Sequence, residues 1–259
     1  MIKKIWLVPF LLVCIVTGTA AQNVNLQEIK NKLYLVNKSF DSAQYLAFDV
    51  EIQFSSDTVN GHFETDFQTA NYAMHKRNIY VNVGGTEFMQ NELFSITAYN
   101  NEQTMMVNRQ KKKNSSFFPL KEFVDSTLNY FSNYYTITND SANHTEYIDF
   151  VTDSANVLYK TMRISFEPRH HLLSRIEMSF LQPFNNEDVK TTGDSTSTAM
   201  PAVMVKKYIQ MDFKNYHFLQ NLDLFDQTKY IFYDRQRKEY TAAGKYLGYK
   251  IYASSISNE

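Results

Sequence analysis

The sequence is poor in the residues that cross-link chains and in those that break them. Of 259 residues, one is cysteine, seven are glycine, five are proline and one is tryptophan. A single cysteine excludes an intrachain disulfide framework and a multi-thiolate metal centre. Seven glycines leave little material for loops that cradle phosphate, and there is no Gly-x-Ser-x-Gly elbow and no His-Glu-x-x-His helix. Neither sign of charge dominates: 26 Lys and Arg stand against 27 Asp and Glu. That balance excludes the basic footprint of a nucleic-acid binder.

The lone cysteine, Cys14, sits within an apolar run from Ile5 to Val16. Lys3 and Lys4 precede this run, and the small residues of Thr-Gly-Thr-Ala-Ala follow it. Charge, apolar run and small residues come in the order of an export signal cleaved after Ala20 or Ala21. A run this short spans a bilayer poorly; the alternative is a buried N-terminal helix, which leaves the order of charge, apolar run and small residues unexplained. A lipid-anchoring signal would want a small residue before the cysteine, and Val13 stands there instead. Removing residues 1–21 leaves 238 residues (259 less 21), no thiol, and 24 basic against 27 acidic side chains, a formal charge of −3. Such a chain has no cysteine nucleophile and depends on its core for stability. Residues 22–259 are expected to form one β-rich domain with an aromatic extension over about 226–259.

Aromatic side chains are abundant, with 18 Tyr and 20 Phe. Together with the scarcity of breakers they suit long strands. Residues 25–36 read as a helix: Leu26, Ile29, Leu33 and Val36 share a stripe, and Asn25 with Glu28 resembles a capping box. The period then changes to two. Over 45–54, Leu46, Phe48, Val50, Ile52 and Phe54 take one face and Tyr45, Ala47, Asp49, Glu51 and Gln53 the other. Further strands are expected around Phe63–Phe67, Ile79–Val83, Phe94–Ala98 and Met105–Val107, with a turn or bulge at Gly84-Gly85 and a turn at Asn100–Gln103. Lys111 to Lys113 read as a solvated loop, or as a contact with anionic lipid head groups. Residues 119–131 read as a second helix opening at Pro119, its stripe made by Leu120, Phe123, Val124, Leu128 and Phe131. Strands resume near Tyr135–Thr138, Tyr147–Val151, Leu158–Phe166, Ser174–Phe180 and Ile209–Phe213, with two more around Tyr230–Tyr233 and Leu247–Tyr252. Residues 182–203 are polar and read as a long loop. Short connections predict antiparallel neighbours.

An export signal, a short helix, about six strands, a Pro-initiated helix and a further set of strands form a recognisable order. The hairpin "LYKTMRISFEPRHHLLSRIEMSF" and the passage "VKKYIQMDFKNYHFLQNLDLF" belong to it. Over residues 24–225 this order resembles the periplasmic outer-membrane lipoprotein carriers, the LolA-like superfamily. The resemblance implies a mainly β (α+β) fold: an open antiparallel half-barrel covered by two or more helices, whose concave face holds acyl chains. It implies a non-enzymatic periplasmic carrier whose partners are an acyl chain, a lipid or a lipoprotein. It assigns no residue role.

The residues lead the same way. So large a sheet carries more apolar face than two helices cover, and the surplus suits a ligand cavity. Candidate lining residues are Phe63, Phe67, Met74, Phe88, Met89, Phe94, Ile96 and Met105 in the first half. Phe123, Met162, Ile164, Phe166, Met178, Phe180, Met211 and Phe213 complete the set. Methionine adapts to irregular partners; the plain alternative is that these side chains are ordinary core. No cofactor and no metal are expected. His170-His171 reads as an exposed hairpin tip, because strand neighbours point to opposite faces. Asp41-Ser42-Ala43, Asp57-Thr58-Val59, Asp140-Ser141-Ala142 and Asp153-Ser154-Ala155 resemble O-glycan acceptors, or are simply turn residues. An envelope scaffold with a filled core is the alternative function. It would bind a protein through an edge strand, the 182–203 loop or the aromatic end, unless that end packs back on the sheet. A hydrolase has no supporting spacing.

Overall fold

A computed structural model describes residues 26–57, 63–110, 128, 132–183 and 204–253. One α-helix, α1 (Leu26–Asp41), precedes six strands: β1 (Leu46–Asp57), β2 (Phe63–His75), β3 (Asn78–Val83), β4 (Thr86–Gln90), β5 (Phe94–Tyr99) and β6 (Thr104–Arg109). Five more follow: β7 (Thr136–Ala142), β8 (Thr145–Val151), β9 (Tyr159–Phe166), β10 (Leu173–Pro183) and β11 (Met204–His217). The C-terminal part holds short 3₁₀ turns and β12 (Ile231–Asp234), β13 (Glu239–Ala242) and β14 (Lys250–Ala253). Twelve strands form one sheet in the order β14-β6-β5-β4-β3-β2-β1-β11-β10-β9-β8-β7, while β12 and β13 pair apart from it. Among the described residues the two edges, β14 and β7, do not pair, so the barrel stays open.

The helix forms where the apolar spacing calls for it and runs five residues beyond the expected 36. Ile29, Leu33, Val36, Asn37 and Phe40 are its buried stripe. The extension follows from Phe40, which lies one turn past Val36 and packs edge-on against Phe48, 5.7 Å between centroids. Buried Asn37 donates to Asp41 at 2.7 Å, which meets the hydrogen-bonding need of its amide. Lys32 reaches Glu146 of β8 at 2.8 Å and fixes the helix across the sheet. The proposed cap Asn25, the helix over 119–131 apart from Leu128, and the 184–203 loop lie outside the described residues.

All neighbours in the large sheet are antiparallel except one. β14 runs parallel to β6, pairing Ile251 with Met105. The expectation of antiparallel pairing fails there because a long excursion, not a short turn, separates the two strands. Gly84 and Gly85 form the two-residue turn between β3 and β4, with φ of +56° and +80°. Two consecutive positive φ values suit the right-handed twist of a hairpin and favour glycine.

Pairing registers sort the side chains into two faces. The near face, turned to α1, carries Phe48, Val50, Ala70, Met74, Ile148, Phe150, Ile164 and Phe213 in the largest core cluster, which Leu128 also joins. The far face is polar over β1, β8, β9, β10 and β11. It is apolar over β4, β5 and β6, where Met89, Ile96, Ala98, Met105 and Val107 are buried against Tyr230, Ile231, Ala242 and Tyr246. Thus the aromatic end packs back on the sheet. Ala47, Ala73, Leu219 and Phe225 join the two regions in a smaller far-face cluster.

Candidate functional site

Beyond the reach of α1, the near face continues as an apolar strip across β1, β11 and β10. Registers place Ile52 beside Met211, Phe54 beside Ile209, and Ile209 beside Met178. Phe180 occupies the next row, opposite Lys207. Ile52, Met178, Phe180, Ile209 and Met211 are half-buried, and Phe54 is 38% exposed. Two unbranched methionines, each beside a β-branched isoleucine, give a surface that can reshape around an apolar guest. Lys207 supplies a cation at the strip's end.

The sequence-predicted lining residues divide between the faces. Met74, Met162, Ile164, Phe166 and Phe213 are buried in the near-face core; Met178 and Met211 pack against it. Phe88 and Phe180 are half-buried near-face residues. Met89, Phe94, Ile96 and Met105 lie on the far face, beneath the C-terminal segment. Phe67, in register with Gln53, also points to the far face and is 69% exposed. The backbone of Phe63 pairs with Asp57; Phe123 is outside the described residues. No single cavity collects the whole set. Adjacent strand residues such as Phe88 and Met89 necessarily point to opposite sides. Of the near-face members, Met178, Phe180 and Met211 form the strip with Ile52, Phe54 and Ile209, three residues outside the predicted set. All three were legible as members of alternating stretches, but their pairing across β1, β11 and β10 was not.

Far-face Glu87, also unforeseen, is the most heavily partnered acid among the described residues. It is 4% exposed. Lys245 donates to both of its oxygens at 2.8 Å, Tyr80 at 2.8 Å, Tyr246 at 2.9 Å and Asn100 at 2.9 Å. Burial pushes this carboxyl up, and the four partners, Lys245 first, outweigh it, so it lies below its ordinary range. Burial, reinforced by the neighbouring carboxylate, holds the Tyr80 and Tyr246 hydroxyls well above the usual tyrosine range. Every oxygen of this acid is engaged in joining the C-terminal segment to β4 and β5, so the cluster reads as a fastening. Its sequence signal was slight: a lone acid sharing a strand face with Met89.

His170 accepts a place at the β9–β10 hairpin tip, with its ring 3.0 Å from Glu167 and its side chain exposed. Among the described residues no three His, Cys, Asp or Glu side chains gather as metal ligands, and no helix is long and apolar enough to cross a membrane.

These features define the class: a mainly β protein built on an open antiparallel half-barrel with a helix packed on one face. No protein-family model matches the sequence, and no curated protein matches it. Similar solved structures include a LolA superfamily protein from Nitrosomonas europaea, 11% identical, covering 76% of this chain and 96% of that one at a TM-score of 0.29. A candidate outer membrane lipoprotein-sorting protein domain from Vibrio parahaemolyticus is 11% identical, with 78% and 98% covered and a TM-score of 0.30. The MucA/MucB complex of Pseudomonas aeruginosa gives 9% identity, 76% and 60% covered, and a TM-score of 0.40. These are similarities only, and no residue role or function passes from those structures to this chain.

Proposed function

We propose that this protein is an exported, non-enzymatic binding protein for acylated molecules, a lipid or a lipoprotein, in a Gram-negative-type envelope. The observation that carries the reading is the near-face strip of Ile52, Phe54, Met178, Phe180, Ile209 and Met211, apolar yet incompletely covered. An acyl chain laid along it gains about 0.8 kcal/mol per buried CH₂, so a few methylenes give useful affinity. Lys207 at the strip's end suits a carboxylate or phosphate head. The basic, apolar and small-residue order of the first 21 residues supports export, and the Lys111–Lys113 run supports peripheral contact with anionic lipid.

The test is uptake of a fluorescent sixteen-carbon fatty acid by the purified protein, with mass spectrometry of a solvent extract for lipid carried through purification. Met178→Asp and Ile209→Asp should each abolish uptake while leaving the circular dichroism spectrum intact. Absence of both uptake and co-purified lipid refutes the reading. A second reading, an envelope protein-interaction module, is favoured by β7, a seven-residue strand whose outer edge is unpaired among the described residues. A partner adding a strand there would be captured equally well by the two Asp variants.

A further inference from the structure

A cavity of about 460 Å³ lies over β1, β11, β10, β9 and β8; most of its lining residues have side chains on the far face, and Phe150, Met162, Met178 and Ile209 of the near face also border it. Its walls are a row of side chains in continuous register across five strands: Gln53 of β1, Gln210 of β11, Glu177 of β10, Arg163 of β9 and Asp149 of β8. At about 4.8 Å per strand, that row extends roughly 19 Å. The next row is shorter in side chain. Ser55, Tyr208, Thr161 and Val151 of this row line the cavity, with Ser179 in register between Tyr208 and Thr161. Ser55 and Ser179 are buried, and Thr161 shares a 2.6 Å hydrogen bond with Ser179. Small hydroxyls beside long amides and ionic groups are what hollow the surface.

We propose that the far-face side of this cavity is a binding site for a neutral, polyhydroxylated ligand, a short oligosaccharide, on the opposite side of the strands from the acyl-binding strip. Charge is the first reason. Asp149 holds the Arg163 guanidinium through two hydrogen bonds of 2.6 and 2.8 Å, and Arg175 beside the cavity is held by Asp212 and flanked by Glu177 at 3.8 Å. Both arginines therefore meet an acid and Lys206 lies over the Tyr208 ring at 5.0 Å; the three cations and three acids balance, which favours neither a phosphate nor a metal ion. Hydrogen-bonding capacity is the second reason. Gln53 and Gln210 each combine a donor and an acceptor, the carboxylates retain lone pairs, and the second row carries hydroxyls; sugar hydroxyls donate and accept at once and match such a mixture. Fixed ion pairs keep those groups in place before the ligand arrives. The third reason is Phe67. It extends the row one strand beyond Gln53, on the same face, and stands 69% exposed beside an otherwise polar surface. A sugar ring has an apolar C–H face, and an exposed aromatic ring is the surface on which that face stacks.

Saturation-transfer difference NMR with maltotriose, cellotriose and the trimer of N-acetylglucosamine tests the assignment, followed by calorimetry on any trisaccharide that responds. At least one is expected to bind with a Kd on the order of 1 mM or tighter. Phe67→Ala should weaken it by about fivefold and Glu177→Gln by a similar factor. Phe67 is exposed and Glu177 is half-buried at the sheet surface, so the variants should keep the parent circular dichroism spectrum, and uptake of the fatty-acid probe should be unchanged in both. No saturation transfer from any of the three sugars overturns the proposal. So does binding that both variants leave undiminished. A protein that takes up the fatty acid but no sugar retains the acyl-binding reading and loses this one.

Discussion

Replacing Glu87 by alanine should detach the C-terminal segment from the sheet before it harms the α1 core. The magnitude follows from who loses what. Lys245, with a side chain 64% exposed, regains water when its partner goes, so its share is about 0–1 kcal/mol. The Tyr246 hydroxyl is buried and loses its acceptor, which costs about 1–3 kcal/mol. Tyr80 and Asn100 are half-buried and recover part of their bonding from solvent. The sum is about 2–4 kcal/mol for Glu87→Ala. Glu87→Gln should cost less, because it keeps one acceptor oxygen and the shape. Hydrogen exchange read by mass spectrometry is the appropriate assay, since local opening shows there before global unfolding. Peptides covering β14 and the 3₁₀ turn Gly244–Tyr246 should lose protection by a factor of about 30 or more, at 1.4 kcal/mol per tenfold. Those covering α1 and β8 should not change. Equal protection in the variant and the parent, or a uniform loss over the whole chain, would refute the fastening role.

Acid should reproduce the same detachment. The Glu87 carboxyl titrates below its ordinary 4.5 in the folded state, so its contribution is complete above about pH 4.5 and fades as pH falls through the lowered value; exchange at pH 3 against pH 7 reads this. Tyr80 and Tyr246 are shifted the other way, so their contribution is complete below about pH 10 and is lost above it, which near-ultraviolet absorbance of tyrosine ionisation would follow. Gly244→Ala should cost about 1–3 kcal/mol in a urea titration, because φ is +57° and the new Cβ would lie 2.8 Å from the Lys229 carbonyl oxygen. Gly84→Ala meets open space and carries the backbone penalty alone, about 1–2 kcal/mol. Leu33→Ala removes a fully buried side chain from the α1 stripe and should lower global stability by about 2–5 kcal/mol, measured by the same titration.

Local order was legible where one period held for many residues. The α1 stripe and the alternation of β1 are set by spacing alone, and both form where the spacing puts them. β4 and β13 escaped notice because each is short, five and four residues, and has little room to display a period. Alternation also leaves the faces unmatched between strands. Phe48 and Met89 each lie on an apolar strand face, yet one looks toward α1 and the other toward Tyr246. Which faces coincide depends on register through turns such as Gly84-Gly85, and a one-residue change reverses the answer. For the same reason the expected surplus of apolar sheet was partly taken up by Tyr230, Ile231 and Tyr246, which lie over a hundred residues away in sequence from the β4–β6 strands they cover.

The inequality of the sheet's two margins governs how copies of this molecule can associate. One margin is β14, four residues long and running with its neighbour, the other is β7, seven residues long and set against β8. A filament built by lateral strand addition needs two long receptive borders on every subunit. Among the described residues one border is much the shorter, so association through the sheet favours a symmetric pair joined at β7 over continued growth.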